Sequence, residues 1–240
     1  STDKIPDPNE AIQTAVVLPD ESLLMPVLYS IPQEIGKINV TMGYALSNAS
    51  VALLVDLIAQ LQQRTRVKDG ETLFYHRHVK ALLNHPLVTL TAKAEAESLK
   101  QLIVAYNRST VSLSEIPSHP LLKQIFTPVT HWHEVGGYLK SILSTLYKNL
   151  TSEKHDEERT DGNTRAIDLE REFVVQCYKT VTRLEDSLQE SQKMSVETYF
   201  RLFKQLTHGI SVAFRGEPLS GLQVMGVLET RAIDFENLII

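Results

Sequence analysis

One cysteine, Cys177, is all the thiol in the chain. A single thiol excludes an internal disulfide framework and a cysteine-based zinc site. Cys177 sits in a helical run, FVVQCYKTV, and reads as a buried small hydrophobe, not a nucleophile. Long apolar runs are also missing. None approaches the ~20 residues that span a bilayer, so no membrane partner is expected. No signal peptide is legible, because the opening STDKIPDPNE is polar and acidic. The chain therefore reads as cytoplasmic, and its N-x-[ST] matches at Asn39, Asn48, Asn107 and Asn149 read as chance. A basic surplus is absent: the net charge is −5. That is not the mark of a dedicated nucleic-acid-binding domain, so DNA binding would need a local patch. Neither a G-x-x-x-x-G-K-[ST] phosphate loop, a G-x-S-x-G elbow nor an H-E-x-x-H pair occurs. No catalytic residue is assigned, and a stand-alone enzyme is the least supported reading.

What is present is ordinary globular material. The 240 residues make one large domain or two small ones, and 42% hydrophobic content suits a folded core. Ser1–Glu10 reads as a loose lead-in. Thr14–Leu18 (TAVVL) reads as a buried strand. Ser22 is the expected N-cap of a helix over Leu23–Ser30, where Pro26 falls in the tolerant first turn. Ile38–Met42 is a second strand. Strand, helix and strand of this length predict a right-handed β-α-β crossover and a parallel sheet. From Val51 the period becomes helical, with Val51, Leu54, Val55, Ile58 and Leu61 on one face. Helices are expected over Thr72–Asn84, Ala92–Asn107, Pro120–Phe126, Pro128–Leu150, Asp168–Leu188 and Ser195–Ile210, the last capped by Ser195. Ser152–Glu172 holds eight acids and four bases and reads as an exposed loop running into a helix. Phe214–Ser220 is the linker back to strand.

Two apolar runs close the chain, Leu222–Leu228 and Asn237–Ile240, around the polar turn Glu229–Glu236. Both read as buried strands. Ending on Leu238-Ile239-Ile240 predicts a piece of a longer protein, since a natural C-terminus is usually polar and loose. The expected fold class is α/β, a small parallel sheet interrupted by a large all-helical insertion. Residues 1–50 and 211–240 form the sheet part and 51–210 the insert.

Two histidine clusters invite chemistry. His131-Trp132-His133-Glu134 suggests a metal, but on a helix residues two apart point about 200° apart. Only on a strand would the two histidines share a face. The plainer reading makes Trp132 a packing anchor with the histidines partly exposed, and no metal is assigned. His76, Arg77 and His78, with Lys80 and His85, are either a solvated helix face or a phosphate contact for DNA. The adjacent Phe74 and Tyr75 could stack on bases, though core packing is the commoner fate of such aromatics.

The segment Leu222–Phe235 resembles the fifth helicase motif of superfamily I DNA helicases, roughly V-x-L-M-T-x-H-x-x-K-G-L-E-F. Arg231 takes the Lys position, with Ala232, Ile233, Asp234 and Phe235 after it. The family Thr is Gly226 and the family His is Leu228. This form, M-G-V-L-E-T-R-A-I-D-F-E, is similar to the degenerate version in AddB-type subunits of bacterial ATP-dependent helicase–nucleases. Thr14–Leu18 followed by Pro19-Asp20 resembles the fourth motif, with an acid where a basic residue is usual. Ile38–Leu46 (INVTMGYAL) resembles the AddB-type N-[VI]-[ST]-x-G-x-P-L segment, with Ala45 for Pro. The resemblance covers about the first sixty and last thirty residues.

The resemblance implies a partial second RecA-like domain with a helical insert. It implies a DNA-guiding scaffold in double-strand-break repair that hydrolyses no ATP alone. DNA, with a single- or double-stranded end, and a helicase–nuclease partner subunit are the implied partners. No cofactor is assigned to this segment; ATP and magnesium would belong to the parent protein. In the family the turn lies near nucleotide and DNA phosphate. On that analogy Arg231 would hold a phosphate, Asp234 would approach a ribose, and Glu229 and Thr230 complete the turn. Glu229 could instead pair with Arg231. Two other readings stay open: part of an active ATP-dependent helicase, and a protein-interaction module without DNA contact.

Overall fold

The computed structural model describes residues 13–32, 35, 38–151, 161–188, 193–213, 221–230 and 234–240, with backbone alone for 161–166 and 213. The expected lead-in, the linker at 214–220, the loop at 152–160 and Arg231 lie outside the described residues. The strands are β1 (Thr14–Leu18), β2 (Ile38–Val40), β3 (Gly43–Ala45), β4 (Arg66–Lys68), β5 (Glu71–Tyr75), β6 (Thr110–Ser112), β7 (Ser211–Ala213), β8 (Leu222–Gly226) and β9 (Asn237–Ile239). The helices are α1 (Leu24–Ser30), α2 (Ser50–Arg64), α3 (His76–Leu83), α4 (Pro86–Thr91), α5 (Lys93–Ala105), α6 (Pro120–Ile125), α7 (Trp132–Thr151), α8 (Asp161–Ser187) and α9 (Val196–His208).

The apolar runs at the two ends of the sequence meet in one parallel sheet of order β2-β8-β1-β9. β8 pairs with β1 from Ala15↔Gln223 to Leu18↔Gly226, and with β2 from Ile38↔Leu222 to Val40↔Val224. All five β8 residues are buried, as a central strand of a parallel sheet requires. The buried amides Asn39 and Gln223 face each other in this register. Asn39 Nδ2 donates to Gln223 Oε1 at 2.7 Å, and Gln223 Nε2 donates to the Gly221 carbonyl at 2.9 Å. The β1-α1-β2 crossover therefore steps over a strand that arrives from the far end of the chain.

Two details differ from expectation. The cap before α1 is Asp20, not Ser22: Asp20 Oδ1 accepts from the Ser22 N–H at 2.8 Å and opens a 3-10 turn over Glu21–Leu23. The short carboxylate reaches its own backbone two residues on, so the turn begins earlier. β9 is a strand but not a buried one. Among the described residues it pairs with β1 alone, and Leu238, Ile239 and Ile240 are 55, 56 and 84% exposed.

The middle of the chain is mostly, but not wholly, helical. β4, β5 and β6 form a three-stranded antiparallel sheet in the order β4-β5-β6. The segment expected to be helix over Thr72–Asn84 is strand to Tyr75 and helix only from His76. Asp69 (φ 53°) and Gly70 (φ 80°) make the β4–β5 turn, a two-residue hairpin with both positions left-handed. β3 and β7 pair antiparallel, so the path from β2 into α2 and the return from α9 to β8 run side by side. A Cβ on Gly43 would collide with the Ser211 hydroxyl, which is why these strands can approach so closely.

Helical stripes build the core. In α2, Val51, Leu54, Val55, Ile58 and Leu61 are buried, and in α7, Val135, Leu139, Ile142, Leu143, Leu146 and Leu150. α7 and α8 pack on each other, with Lys140 and Glu185 paired at 2.6 Å across the seam. Ser195 caps α9 through Thr198 N–H at 3.1 Å, and Tyr199, Phe200 and Phe203 point inward. One contiguous apolar cluster runs from Leu18 and Val224 of the parallel sheet to Phe74, Phe126 and Phe173 among the helices. Gln62 is a buried polar tie in it: Nε2 donates to the Thr127 carbonyl (2.9 Å) and meets Tyr138 Oη (3.0 Å), and Oε1 accepts from Val129 N–H (3.1 Å).

Candidate nucleic-acid interface

The turn after β8 and the turn after β1 share the carboxyl edge of the parallel sheet, because Leu18 and Gly226 are register partners. Thr41 joins them there, its N–H bonded to the Val224 carbonyl at 3.0 Å. Glu229 and Thr230 sit in the β8 turn. Glu229 N–H donates to the Gly226 carbonyl (3.2 Å) and Thr230 Oγ1 to the Val227 carbonyl (2.7 Å). The Glu229 carboxylate folds back over Gly226: a Cβ there would lie 2.6 Å from Oε2. A threonine at position 226 would contend with this carboxylate for the same space. Asp234 is exposed and stands apart from Glu229 and Thr230, on the approach to β9. There Glu236 N–H meets the Gln13 carbonyl and Asn237 pairs with Thr14, at the amino edge of the sheet. Arg231, between these groups in sequence, lies outside the described residues.

The edge is acidic where it is described. Asp20, Glu21 and Glu229 are exposed on it. The Ser22 backbone N–H, then its hydroxyl, holds the Asp20 carboxyl below the usual carboxylate range. An anionic rim of this kind repels a triphosphate.

The cationic locus lies elsewhere, on the β4–β5 hairpin and α3. Alternation along β5 sends Phe74 into the core, edge-on to Phe126 at 5.2 Å, and Tyr75 outward at 38% exposure. His76 is tied to backbone, its Nδ1 2.9 Å from the Ser109 carbonyl. Burial, then the nearby Arg64 guanidinium, pushes the His78 imidazole below its ordinary value and so favours its neutral form. His85 is no surface cation at all. It is buried, its Nε2–H donates to the Ser50 carbonyl (3.0 Å), and its Nδ1 accepts from Leu87 N–H (3.3 Å) to cap α4. Burial pulls its pKa down to about 4, against the Ser50 bond. Of the expected basic stretch, Arg77 and Lys80 remain as surface cations one turn apart. Arg64, Arg66 and Lys68 join them from α2 and β4. These three were not among the expected contacts, and the Asp69-Gly70 hairpin signal is what could have found them.

Other candidates resolve structurally. Cys177 is fully buried, and burial pushes its thiol up to about 12. His131 and His133 bring their rings to 5.3 Å, closer than helical spacing predicts, because His131 precedes the first residue of α7. Glu134 accepts from the Thr130 and His131 N–H groups (both 3.2 Å) and so serves the start of that helix. Among the described residues no group of three or more His, Cys, Asp or Glu could hold a metal ion. Trp132 packs partly against the core. Glu170 carries a carboxyl raised by burial and bonded to the Ser50 hydroxyl, and nothing in its sequence context marked it. No protein-family model, curated protein or solved structure matches the chain.

Proposed function

We propose that this chain is a DNA-guiding, scaffolding part of an AddB-like subunit of a bacterial helicase–nuclease acting in double-strand-break repair. On this reading its sheet is that of a second RecA-like motor domain, the segment between β3 and β7 is that domain's insert, and it docks on a partner subunit. The observation that carries the reading is the order of the parallel sheet. β8, with the fifth-motif pattern, sits between β2 and β1, with the other two patterns, and their following turns share one edge. Sheets of this type take ligands outside the carboxyl ends of their strands. Asp20, Glu21 and Glu229 on that edge argue against ATP turnover by this chain. Any nucleotide and magnesium belong to the parent protein. DNA is held by Arg231 together with cations such as the exposed Arg77 and the half-buried Lys80, neither of which is ion-paired among the described residues.

The test is Arg231→Ala, with DNA affinity and the urea unfolding transition measured together. Weaker DNA binding with an unchanged transition is expected. Unchanged affinity would remove the turn from the account. ATP hydrolysis by the chain alone would support an active helicase instead. The net charge of −5 favours a second reading, a protein-interaction module without DNA contact. That reading requires that no DNA bind even at low salt.

A further inference from the structure

We infer that the outward face of the β4-β5-β6 sheet, with α3, binds single-stranded DNA, stacking a base on Tyr75 and holding phosphates with Arg64, Arg66, Lys68, Arg77 and Lys80. This assignment rests on the DNA-guiding reading and narrows it to one surface and one strand state.

The register places these groups together. Arg66 is opposite Leu73 and Lys68 opposite Glu71. Leu73 and Glu71 lie on the same face of β5 as Tyr75, so Arg66 and Lys68 share that face. Arg64, two residues before Arg66, is close enough to influence the His78 ring. The Arg77 guanidinium carbon is 6.0 Å from the Tyr75 ring centre. His76 and His78 meet the ring edge-on at 4.7 and 5.8 Å and fix its orientation. A second tyrosine–arginine pair precedes β6: Arg108 lies 5.7 Å from the Tyr106 ring, which is 70% exposed. Arg108 itself is neutralised by Glu115 at 2.8 Å, so it is not counted among the phosphate contacts.

Charge complementarity identifies the occupant as a polyanion. None of Arg64, Arg66, Lys68, Arg77 and Lys80 forms an ion pair among the described residues. The acids on the hairpin are Asp69 and Glu71, at its turn, with Glu71 facing Lys68. Concentrating unpaired cations in a chain of net charge −5 gains the fold nothing, since like charges repel. The exposed aromatic then selects the polyanion. An unpaired base offers its face to a tyrosine ring, and a base inside a duplex does not. An acidic protein segment supplies the charge but no base to stack.

The test uses the 240-residue chain with fluorescein-labelled oligothymidine of about 20 nucleotides, a duplex of equal length, and polyglutamate, by fluorescence anisotropy. Oligothymidine should bind about tenfold or more above the other two. Tyr75→Ala should weaken it about tenfold, as loss of a stacked base does, and Tyr75→Phe should retain affinity. The double change Arg66→Ala with Lys68→Ala should flatten the salt slope by about 1.4, at ~0.7 per phosphate contact on single strands. Equal binding of duplex or polyglutamate, or hairpin variants that bind like the parent, would overturn the assignment. If those variants bind normally while Arg231→Ala does not, this surface is wrong and the DNA-guiding reading stands. If no DNA binds at low salt, both fall.

Discussion

Acidification should destabilise this protein through one buried imidazole. His85 is 3% exposed and neutral, with both ring nitrogens engaged by backbone. Burial pulls its pKa from 6.5 to about 4. Below pH 6.5 the unfolded chain takes up a proton there, and the folded chain does not until about pH 4. Stability is therefore full above 6.5, falls as pH drops through the interval, and levels off below about 4. The gap, 6.5 − 4, is about 2.5 pH units and corresponds to about 3 kcal/mol at ~1.36 kcal/mol per unit. Glu170 acts in the opposite sense. Burial raises its carboxyl, so the folded state binds that proton more tightly and gains stability as pH falls. Comparing the parent with His85→Asn cancels Glu170. Asparagine keeps an acceptor at the α4 cap and does not titrate. Urea unfolding followed by circular dichroism at pH 7.5, 6, 5 and 4.5 gives the difference directly. The variant should be about 1–2 kcal/mol less stable at pH 7.5, for the lost Ser50 bond and packing. That deficit should vanish or reverse by pH 4.5. A difference independent of pH would refute the account of His85.

Three further outcomes follow from buried polar and thiol groups. Asn39→Leu should strand the Gln223 side chain between β2 and β8 and destabilise by about 1–3 kcal/mol. Adding Gln223→Leu should recover most of that, and a double-mutant loss equal to the sum of the single losses would contradict the coupling. Gln62→Leu removes three polar contacts that tie α2 to the α6–α7 connection and to Tyr138. It should lower stability by about 2–3 kcal/mol, and an unchanged urea midpoint would refute that tie. Ellman's reagent should label Cys177 only as the chain unfolds, because the thiol is buried and its pKa is raised. Rapid stoichiometric labelling of the folded protein would contradict its burial.

Apolar periodicity carried much of the fold. The Thr14–Leu18 and Leu222–Leu228 runs announced strands, although Val227 and Leu228 are exposed beyond the end of β8, and the Val51–Leu61 stripe announced α2, because burial demands a side-chain pattern that sequence displays directly. The pairing was less visible. That β8 enters between β1 and β2 depends on contacts 184 residues apart, such as Asn39 with Gln223. The three-stranded sheet was missed because Glu71–Tyr75 runs into α3 without a breaker. The Asp69-Gly70 turn was the available signal. β9 was mistaken for buried because strand propensity does not distinguish an edge strand from a central one. At the candidate site, charge was legible and environment was not. His85 and Arg77 both read as basic, yet one caps a helix in the core and the other meets solvent. Arg66 and Lys68 acquire meaning only through a register that puts them beside Tyr75.

Whether this chain guides DNA is read from its affinity for a DNA single strand across a salt series, without ATP. Log K should fall linearly with log salt, with a slope near −3.5 for about five phosphate contacts. Absence of binding at low ionic strength, or an affinity indifferent to salt, would contradict the DNA-guiding reading.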